Sequence, residues 1–232
     1  MNSKVLKLLI LAAAILAVLP DLKSADAMTP FPDWINLASG KPVTFSPEPN
    51  EADVSDEDDA KQLVDGIYSP SDPIWYDREG KSPVGWVGVT PIEILVDLEK
   101  IEPIRGLAMR VAAGKSGVAW PSQMKILVSD DGETFADVGD LLKLTPEPPS
   151  PEGYETFWLR TEDLKTHGRF VKVVVNTAES GEGTYFFTDE LEIYRGEEAW
   201  VGLPFPAPPK VANPESPRPD WVNLASRAEV TL

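Results

Sequence analysis

The 232-residue chain contains no cysteine and a single histidine, His167. Without disulfides, an exported domain must hold its fold by packing or by a bound metal, and this composition favours a bacterial over an animal extracellular protein. The absence also excludes a Cys-His catalytic pair, and a Ser-His-Asp set would have to use His167 alone. Because His167 lies in a polar segment before a predicted strand, we expect a solvated or packed side chain rather than a general base.

Basic residues are scarce relative to acidic ones. The chain has 21 Lys and Arg against 38 Asp and Glu, a formal net charge of −17. A field of that sign repels phosphate backbones and anionic lipid, so nucleic acid is not predicted as a partner. Carboxylates do supply the oxygen ligands that calcium prefers. No stretch of the sequence convincingly places two of them for glycoside hydrolysis.

Long apolar runs are confined to the first 27 residues. Two lysines precede the apolar run from Leu8 to Leu19, and Ala25 and Ala27 occupy the positions that signal peptidase recognises. An uncleaved anchor is the alternative, but the run is shorter than the roughly 20 residues that span a bilayer. We therefore interpret residues 1–27 as a signal peptide. The mature protein is expected to be secreted, periplasmic or at the cell surface, with no membrane span.

The next 170 or so residues alternate apolar and polar positions in short segments, which is typical of half-buried strands. Ile92–Leu98 and Ile104–Ala112 are predicted strands, paired as a hairpin through a turn at Glu102-Pro103. The remaining predicted strands are Met124–Val128, Phe135–Val138, Tyr154–Leu159, Arg169–Asn176 and Tyr185–Tyr194. About eight strands in one domain predict an all-β sandwich or barrel.

Two loops and a repeat complete the organisation. Residues 48–59 contain seven acids and are expected to form a solvated loop. The sequence PFPDWINLASGKPVTF at 30–45 returns as PRPDWVNLASRAEVTL at 217–232, with ten identical positions. We predict a domain at 28–196, a Pro-rich linker at 197–216 and the start of a second, truncated copy at 217–232. The chain is expected to belong to a longer multidomain protein.

Seven segments, in order, resemble a discoidin (coagulation factor 5/8 type C) domain of the galactose-binding-like superfamily. They are NLASGKPVTF, LVDG, the loop Trp75 ahead of Gly85-Trp86, IEILVDLEKIEPIRGLAMR, ILVSDDGETF, GRFVKVVV and DELEIY. The resemblance implies an eight-stranded antiparallel jelly-roll β-sandwich that binds glycans, proteins or lipid head groups through loops at one end and is not catalytic. The vertebrate terminal disulfide is missing, which favours the bacterial carbohydrate-binding branch. Leu98-Glu99 replaces the usual Leu-Gly, and Phe135 replaces the turn Trp.

A sugar site needs an aromatic face for the apolar side of a pyranose ring, with charged groups beside it for the hydroxyls. Trp75, Tyr76, Asp77 and Arg78 supply both within four residues of one loop. We predict these four as carbohydrate-binding residues. In the alternative, Trp75 caps the core beneath the loop.

The resemblance also implies a structural calcium ion. In similar modules its ligands come from the Asp-Gly turn after the first helical segment and from the acid before the last strand. The matching residues here are Asp65 and Glu190, with Asp72, Ser69 or Ser71 completing the shell. In the alternative, Asp65 only forms a turn and Glu190 faces solvent.

The sequence therefore predicts an exported, non-catalytic carbohydrate-binding or adhesion module whose partner is a glycan or polysaccharide. Two alternatives stay open at this point. The chain could be an accessory domain of a secreted glycoside hydrolase whose catalytic domain lies beyond it. It could instead be a cell-surface module that binds another protein.

Overall fold

The structure is a computed structural model that describes residues 29–78, 80, 82–114, 118–149, 155–178 and 184–206. Eight strands are present in this part of the chain, all antiparallel to their neighbours. They are β1 (Val43–Ser46), β2 (Val84–Val87), β3 (Ile92–Ala113), β4 (Gln123–Ser129), β5 (Ala136–Asp140), β6 (Glu155–Thr161), β7 (Thr166–Asn176) and β8 (Tyr185–Arg195). The short helices are α1 (Asp59–Gln62) and α2 (Leu141–Leu144), with 3₁₀ turns at Ile74–Tyr76 and Glu198–Trp200. The all-β, eight-stranded antiparallel prediction is confirmed.

Strand β3 joins the two layers of the fold. Its first half pairs with β1 on one side and β7 on the other, and β4 and β5 continue that layer. Its second half pairs with β6 and β8, and β2 completes the other layer at the free edge of β8. The register shifts between Asp97 and Glu102, where the strand passes from one layer to the next. A long bulged strand of this kind forms the corner of a sandwich.

The hairpin predicted within this strand is wrong. Ile92–Leu98 and Ile104–Ala112 are successive parts of one strand and do not pair with each other. Glu102 and Pro103 are buried and pair with β7 instead of forming a turn. The polar interruption that resembled a turn is a bulge at which Glu99 adopts a positive φ of 68°.

The main core lies between the two layers. In the first half of β3, residues Ile92, Ile94 and Val96 are fully buried while the residues between them are partly exposed, as alternation predicts. Phe45 of β1 meets Trp86 of β2 edge to face at 5.4 Å, which joins the two layers through their aromatic side chains. The indole N–H of Trp86 donates to the Pro47 carbonyl at 2.9 Å, so its polar atom is satisfied inside the core.

Two residues that recur in the repeat, Trp34 and Asn36, have structural roles in the segment before β1. The Asn36 side-chain oxygen accepts hydrogen bonds from the backbone N–H groups of Ala38 and Ile193 and so ties the segment to β8. Trp34 packs edge to face on Tyr194 at 5.4 Å, with the Arg105 guanidinium 4.3 Å above its ring. These contacts fix the segment before β1 to the last residues of β8. The matching stretch at 217–232 lies outside the described residues, as do the predicted signal peptide and residues 207–216.

After β8 the chain stays in contact with the domain. The Gly196 N–H donates to the Pro103 carbonyl at 2.8 Å, and Phe205 stacks on the buried His167 ring at 4.7 Å. His167 Nε2 lies 3.4 Å from Asp130 Oδ2, so this histidine is packed, as expected. The predicted domain and linker boundaries stay predictions. None of the helices in the described part of the chain has the length and apolar character to cross a membrane.

Candidate functional site

An open cleft of about 290 Å³ lies where three connections meet the beginning of β8. We refer to it as the cleft. Its walls come from the acidic loop after β1, the 3₁₀ turn at Ile74–Tyr76 and the connection between β3 and β4. The lining residues are Glu51, Asp53, Trp75, Tyr76, Arg78, Val118, Tyr185 and Phe187.

The tight turn at Ile74–Tyr76 sends neighbouring side chains in different directions. Trp75 is only 7% exposed and packs in a small second core, 5.5 Å from the Phe187 ring. Tyr76 is 52% exposed and contacts the Trp75 ring at 6.0 Å, at an interplanar angle of 61°. Trp75 therefore caps an apolar cluster, as the alternative expected, while it also borders the cleft. Tyr76 offers the accessible aromatic face.

Four aromatic rings line one side of the cleft. Tyr185 and Phe187 stack with their centroids 5.9 Å apart and their planes 7° apart. They project from the same face of β8 because they are two residues apart on a strand. With Trp75 and Tyr76 they form what we call the aromatic wall. Tyr185 and Phe187 were not predicted as site residues, because β8 begins with three successive aromatics and no alternation in the sequence separates its two faces.

Asp77 and Arg78 have separate roles. Asp77 is buried, and its Oδ1 accepts the Gly80 N–H at 3.1 Å, which closes the turn after the 3₁₀ segment. It does not line the cleft. Arg78 Nη2 lies 2.8 Å from Asp53 Oδ2 at the mouth of the cleft. An exposed ion pair of this kind adds little stability, but it places a donor and an acceptor beside the aromatic wall.

The acidic loop is held against β2 by hydrogen bonds from its backbone and side chains. The N–H groups of Asn50 and Glu51 both donate to the Gly85 carbonyl at 3.1 Å, and Ser55 Oγ also donates to it at 3.0 Å. Asn50 additionally bonds both backbone groups of Val87. The expectation of a solvated loop left Glu51 and Asp53 out of the predicted site, since nothing local in the sequence shows that the loop docks on a strand.

Gly85 makes this docking possible by its lack of a side chain. A Cβ added at Gly85 would lie 2.9 Å from the Glu51 Cβ and 2.9 Å from the Phe187 ring. Those distances are too short for carbon atoms, so glycine is required for the acidic loop to reach the aromatic wall. Glu51 is thereby placed next to Phe187, inside the cleft.

Two of the three predicted calcium ligands, Asp65 and Glu190, lie near each other and do not line the cleft. Glu190 Oε2 accepts the Gly66 N–H at 3.0 Å, next to Asp65. Its Oε1 is buried and has no hydrogen-bond partner within the described structure. Burial is the main cause that raises the pKa of Glu190 to about 9, and the carboxylates of Glu192 and Asp65 add to it. Burial also raises the pKa of Asp65.

Neighbouring groups surround these acids. Glu192 accepts hydrogen bonds from Tyr68 and Thr29, both at 2.8 Å, and from Tyr194. Burial raises the pKa of both tyrosines, and their hydrogen bonds to Glu192 raise it further. Asp189 forms an ion pair with Arg110. Burial raises the pKa of Asp189 to about 6, although the charge of Arg110 acts to lower it.

Asp72, the third predicted ligand, is exposed, and its Oδ1 accepts a hydrogen bond from Thr156 Oγ1 at 3.0 Å. The described residues contain no group of three His, Cys, Asp or Glu side chains arranged to hold a metal. The orphaned oxygen of Glu190 and the carboxylate beside it nevertheless fit a hard cation whose shell is completed by carbonyl oxygens or water. The calcium site stays a prediction.

Comparison with known proteins gave matches among solved structures. Chitosan-binding module 1, derived from a chitosanase/glucanase of Paenibacillus sp. IK-5, is 19% identical over 69% of this chain and 98% of its own, with a TM-score of 0.46. A fucose-binding module of Streptococcus pneumoniae is 18% identical over 70% and 96%, with a TM-score of 0.43. A Clostridium perfringens protein in complex with GalNAc-β-1,3-galactose is 17% identical over 69% and 99%, with a TM-score of 0.42. No protein-family model and no curated protein matches the chain.

Proposed function

We propose that this protein is a non-catalytic carbohydrate-binding module that holds a glycan in the cleft. The observation that carries the proposal is the meeting of an accessible aromatic face with an ion pair and a further carboxylate in one open cleft. The apolar face of a sugar ring packs on Tyr76. Its hydroxyl groups accept hydrogen bonds from Arg78 and donate them to the carboxylates of Asp53 and Glu51.

The cleft is suited to binding more than to bond cleavage. Its volume is at the small end of the range for small-molecule pockets, which suits the end or a short stretch of a glycan. Glycoside hydrolysis needs one carboxyl group kept protonated as an acid. Asp53 Oδ2 instead lies 2.8 Å from Arg78 Nη2 in an ion pair, a position from which it can accept hydrogen bonds from sugar hydroxyl groups. The module would bring a longer protein to a polysaccharide or a glycan-bearing surface.

We further propose that the protein is exported from a bacterial cell, and that Asp65 and Glu190 hold a structural calcium ion. Calcium would supply a positive charge that neutralises the buried carboxylate of Glu190. Glu190 belongs to β8 and accepts a hydrogen bond from Gly66, which follows α1. A calcium ion bound by Asp65 and Glu190 would therefore link the turn after α1 to β8. Amino-terminal sequencing of exported protein tests the first of these proposals.

Replacing Tyr76 with alanine is expected to weaken glycan binding at least tenfold, equivalent to about 1.4 kcal/mol. The melting temperature should change little, because the side chain is half exposed and its removal opens no core cavity. A glycan array first identifies a ligand, and isothermal titration calorimetry then compares the two proteins.

Ile67→Ala is the matched control, since Ile67 is also exposed and does not line the cleft. It should leave glycan affinity unchanged. Full affinity in Tyr76→Ala would show that the sugar ring does not pack on Tyr76. A glycan array without hits, beside capture of a defined cell-surface protein, would replace the glycan by a protein partner.

A further inference from the structure

We infer that the cleft selects a sugar that carries a free, positively charged amino group, and that Glu51 binds this group. The inference rests on the proposed function and names the class of glycan. It follows from the charges that line the cleft, of which the described residues supply two negative and one positive.

The positive charge in the cleft already has a partner. Arg78 Nη2 lies 2.8 Å from Asp53 Oδ2, so these two side chains neutralise each other. Glu51 has no ion-pair partner among the described residues. The lining residues therefore leave one uncompensated carboxylate, which a ligand can pair with.

Glu51 is held in place for this role. Its N–H donates to the Gly85 carbonyl at 3.1 Å, and its Oε2 accepts the Asp53 N–H at 3.0 Å. Within the described structure, its other oxygen, Oε1, has no hydrogen-bond donor. A Cβ built on Gly85 would lie 2.9 Å from both the Glu51 Cβ and the Phe187 ring, so these two side chains flank Gly85. A sugar packed on the aromatic wall thus lies beside an acceptor that is oriented in advance.

Amino sugars, N-acetylated sugars and uronic acids differ in the group that they would present to Glu51. An ammonium group on the ring forms a charge-assisted hydrogen bond to Glu51, which is about twice as strong as one from a neutral hydroxyl. An N-acetylated sugar offers only a neutral amide N–H, and a uronic acid is repelled. The net charge of −17 acts in the same direction, since it attracts cationic polysaccharides and repels anionic ones over longer distances.

The test compares a β-1,4-linked glucosamine trimer with its fully N-acetylated counterpart by isothermal titration calorimetry. The wild-type chain should bind the amino form at least tenfold more tightly. Glu51→Gln keeps the shape and an acceptor for the Asp53 N–H but removes the charge, and it should reduce that preference to less than threefold. Glu162→Gln is the control for overall charge, because Glu162 is exposed and does not line the cleft. Glu162 follows the last residue of β6, which pairs with Leu107 of β3. Leu107 lies six residues along β3 from Ala113, which belongs to the small second core beside the cleft.

Each outcome bears on the inference. Equal affinity for the two trimers, or binding only of neutral glycans, would overturn it while leaving the proposed function intact. A preference for the amino form that persists in Glu51→Gln, or is lost equally in Glu162→Gln, would overturn the role of Glu51. Failure to bind these trimers and every glycan of an array would instead overturn the proposed function.

Discussion

Replacing Trp75 with alanine is expected to lower the free energy of unfolding by about 3–5 kcal/mol. The side chain is 7% exposed and belongs to the small second core with Ile74, Val118 and Phe187. Its removal leaves a cavity against the Phe187 ring, whose centroid is 5.5 Å from that of Trp75. For a domain of this size the loss corresponds to a fall in melting temperature of roughly 6 to 20 °C. Urea denaturation followed by tryptophan fluorescence measures it.

The adjacent Tyr76→Ala protein is the comparison that makes this result specific. Both substitutions remove an aromatic ring from the same 3₁₀ turn, but only one ring is buried. A stability loss below 1 kcal/mol in Trp75→Ala would mean that this ring is a surface platform. Reduced glycan binding in Trp75→Ala is interpretable only at a temperature where the protein is folded, so the unfolding curve must be measured first.

Calcium is expected to raise the melting temperature of chelator-treated protein, and Glu190→Gln to abolish this response. A ligand at about 100 times its Kd that binds only the native state stabilises it by about 2.7 kcal/mol. For a domain of this size that is on the order of 5 to 10 °C. Differential scanning calorimetry at pH 8, with and without calcium, measures the shift.

The pH dependence without calcium should have a defined sign. Glu190 has a folded-state pKa of about 9 against an ordinary value of 4.5, so between those values the folded chain holds a proton that the unfolded chain releases. Its contribution to stability is therefore fully present below about pH 4.5 and decreases as the pH rises toward 9. Asp189 acts in the same sense between 3.8 and about 6. In chelator-treated Glu190→Gln, most of the decrease in stability between pH 6 and pH 9 should disappear. This variant should also have a higher melting temperature than chelator-treated wild type at pH 8.

Asp72→Asn provides a matched carboxylate-to-amide control for the metal site. It changes an exposed group that contacts Thr156, so a preserved calcium response would exclude Asp72 from the shell. An absent response in wild-type protein would end the case for the metal. Equal pH slopes in wild type and Glu190→Gln would show that this carboxylate is not the source of the pH dependence.

Strand periodicity was visible in much of the sequence because burial on one face imposes a two-residue alternation, as in the first half of β3 and in β4. Most predicted strands lie within one to three residues of those observed, including Tyr185–Tyr194 against β8. The exception is the hairpin expected between Ile92 and Ala112. Alternation shows that each half has a buried face, but not whether the chain reverses or continues into a second layer. Glu102-Pro103 has the composition of a turn and is in fact part of a buried bulged strand.

For the predicted site residues too, the sequence indicated the residue types, and the structure decided which side chains are exposed. Tyr76 and Arg78 do line the cleft, as aromatic and charged loop residues often do in binding sites, and their carbohydrate-binding role stays a prediction. Residue type could not separate buried Trp75 and Asp77 from their exposed neighbours, since the 3₁₀ turn decides which side chain points inward. Asp77 closes a local turn and does not line the cleft, and its carbohydrate-binding role stays a prediction.

By itself, the sequence determined the all-β class, the excess of negative charge, the absence of disulfides and the aromatic loop, all of which depend on composition and short-range pattern. Only the tertiary structure decided that the acidic loop docks on β2, that Glu51 stands beside Phe187, and that Glu190 is buried next to Asp65. The physical reason is that these contacts join residues 34 to 136 positions apart. Their energies depend on which backbone groups are left for bonding once the sheets have formed, and no local pattern in the chain records that.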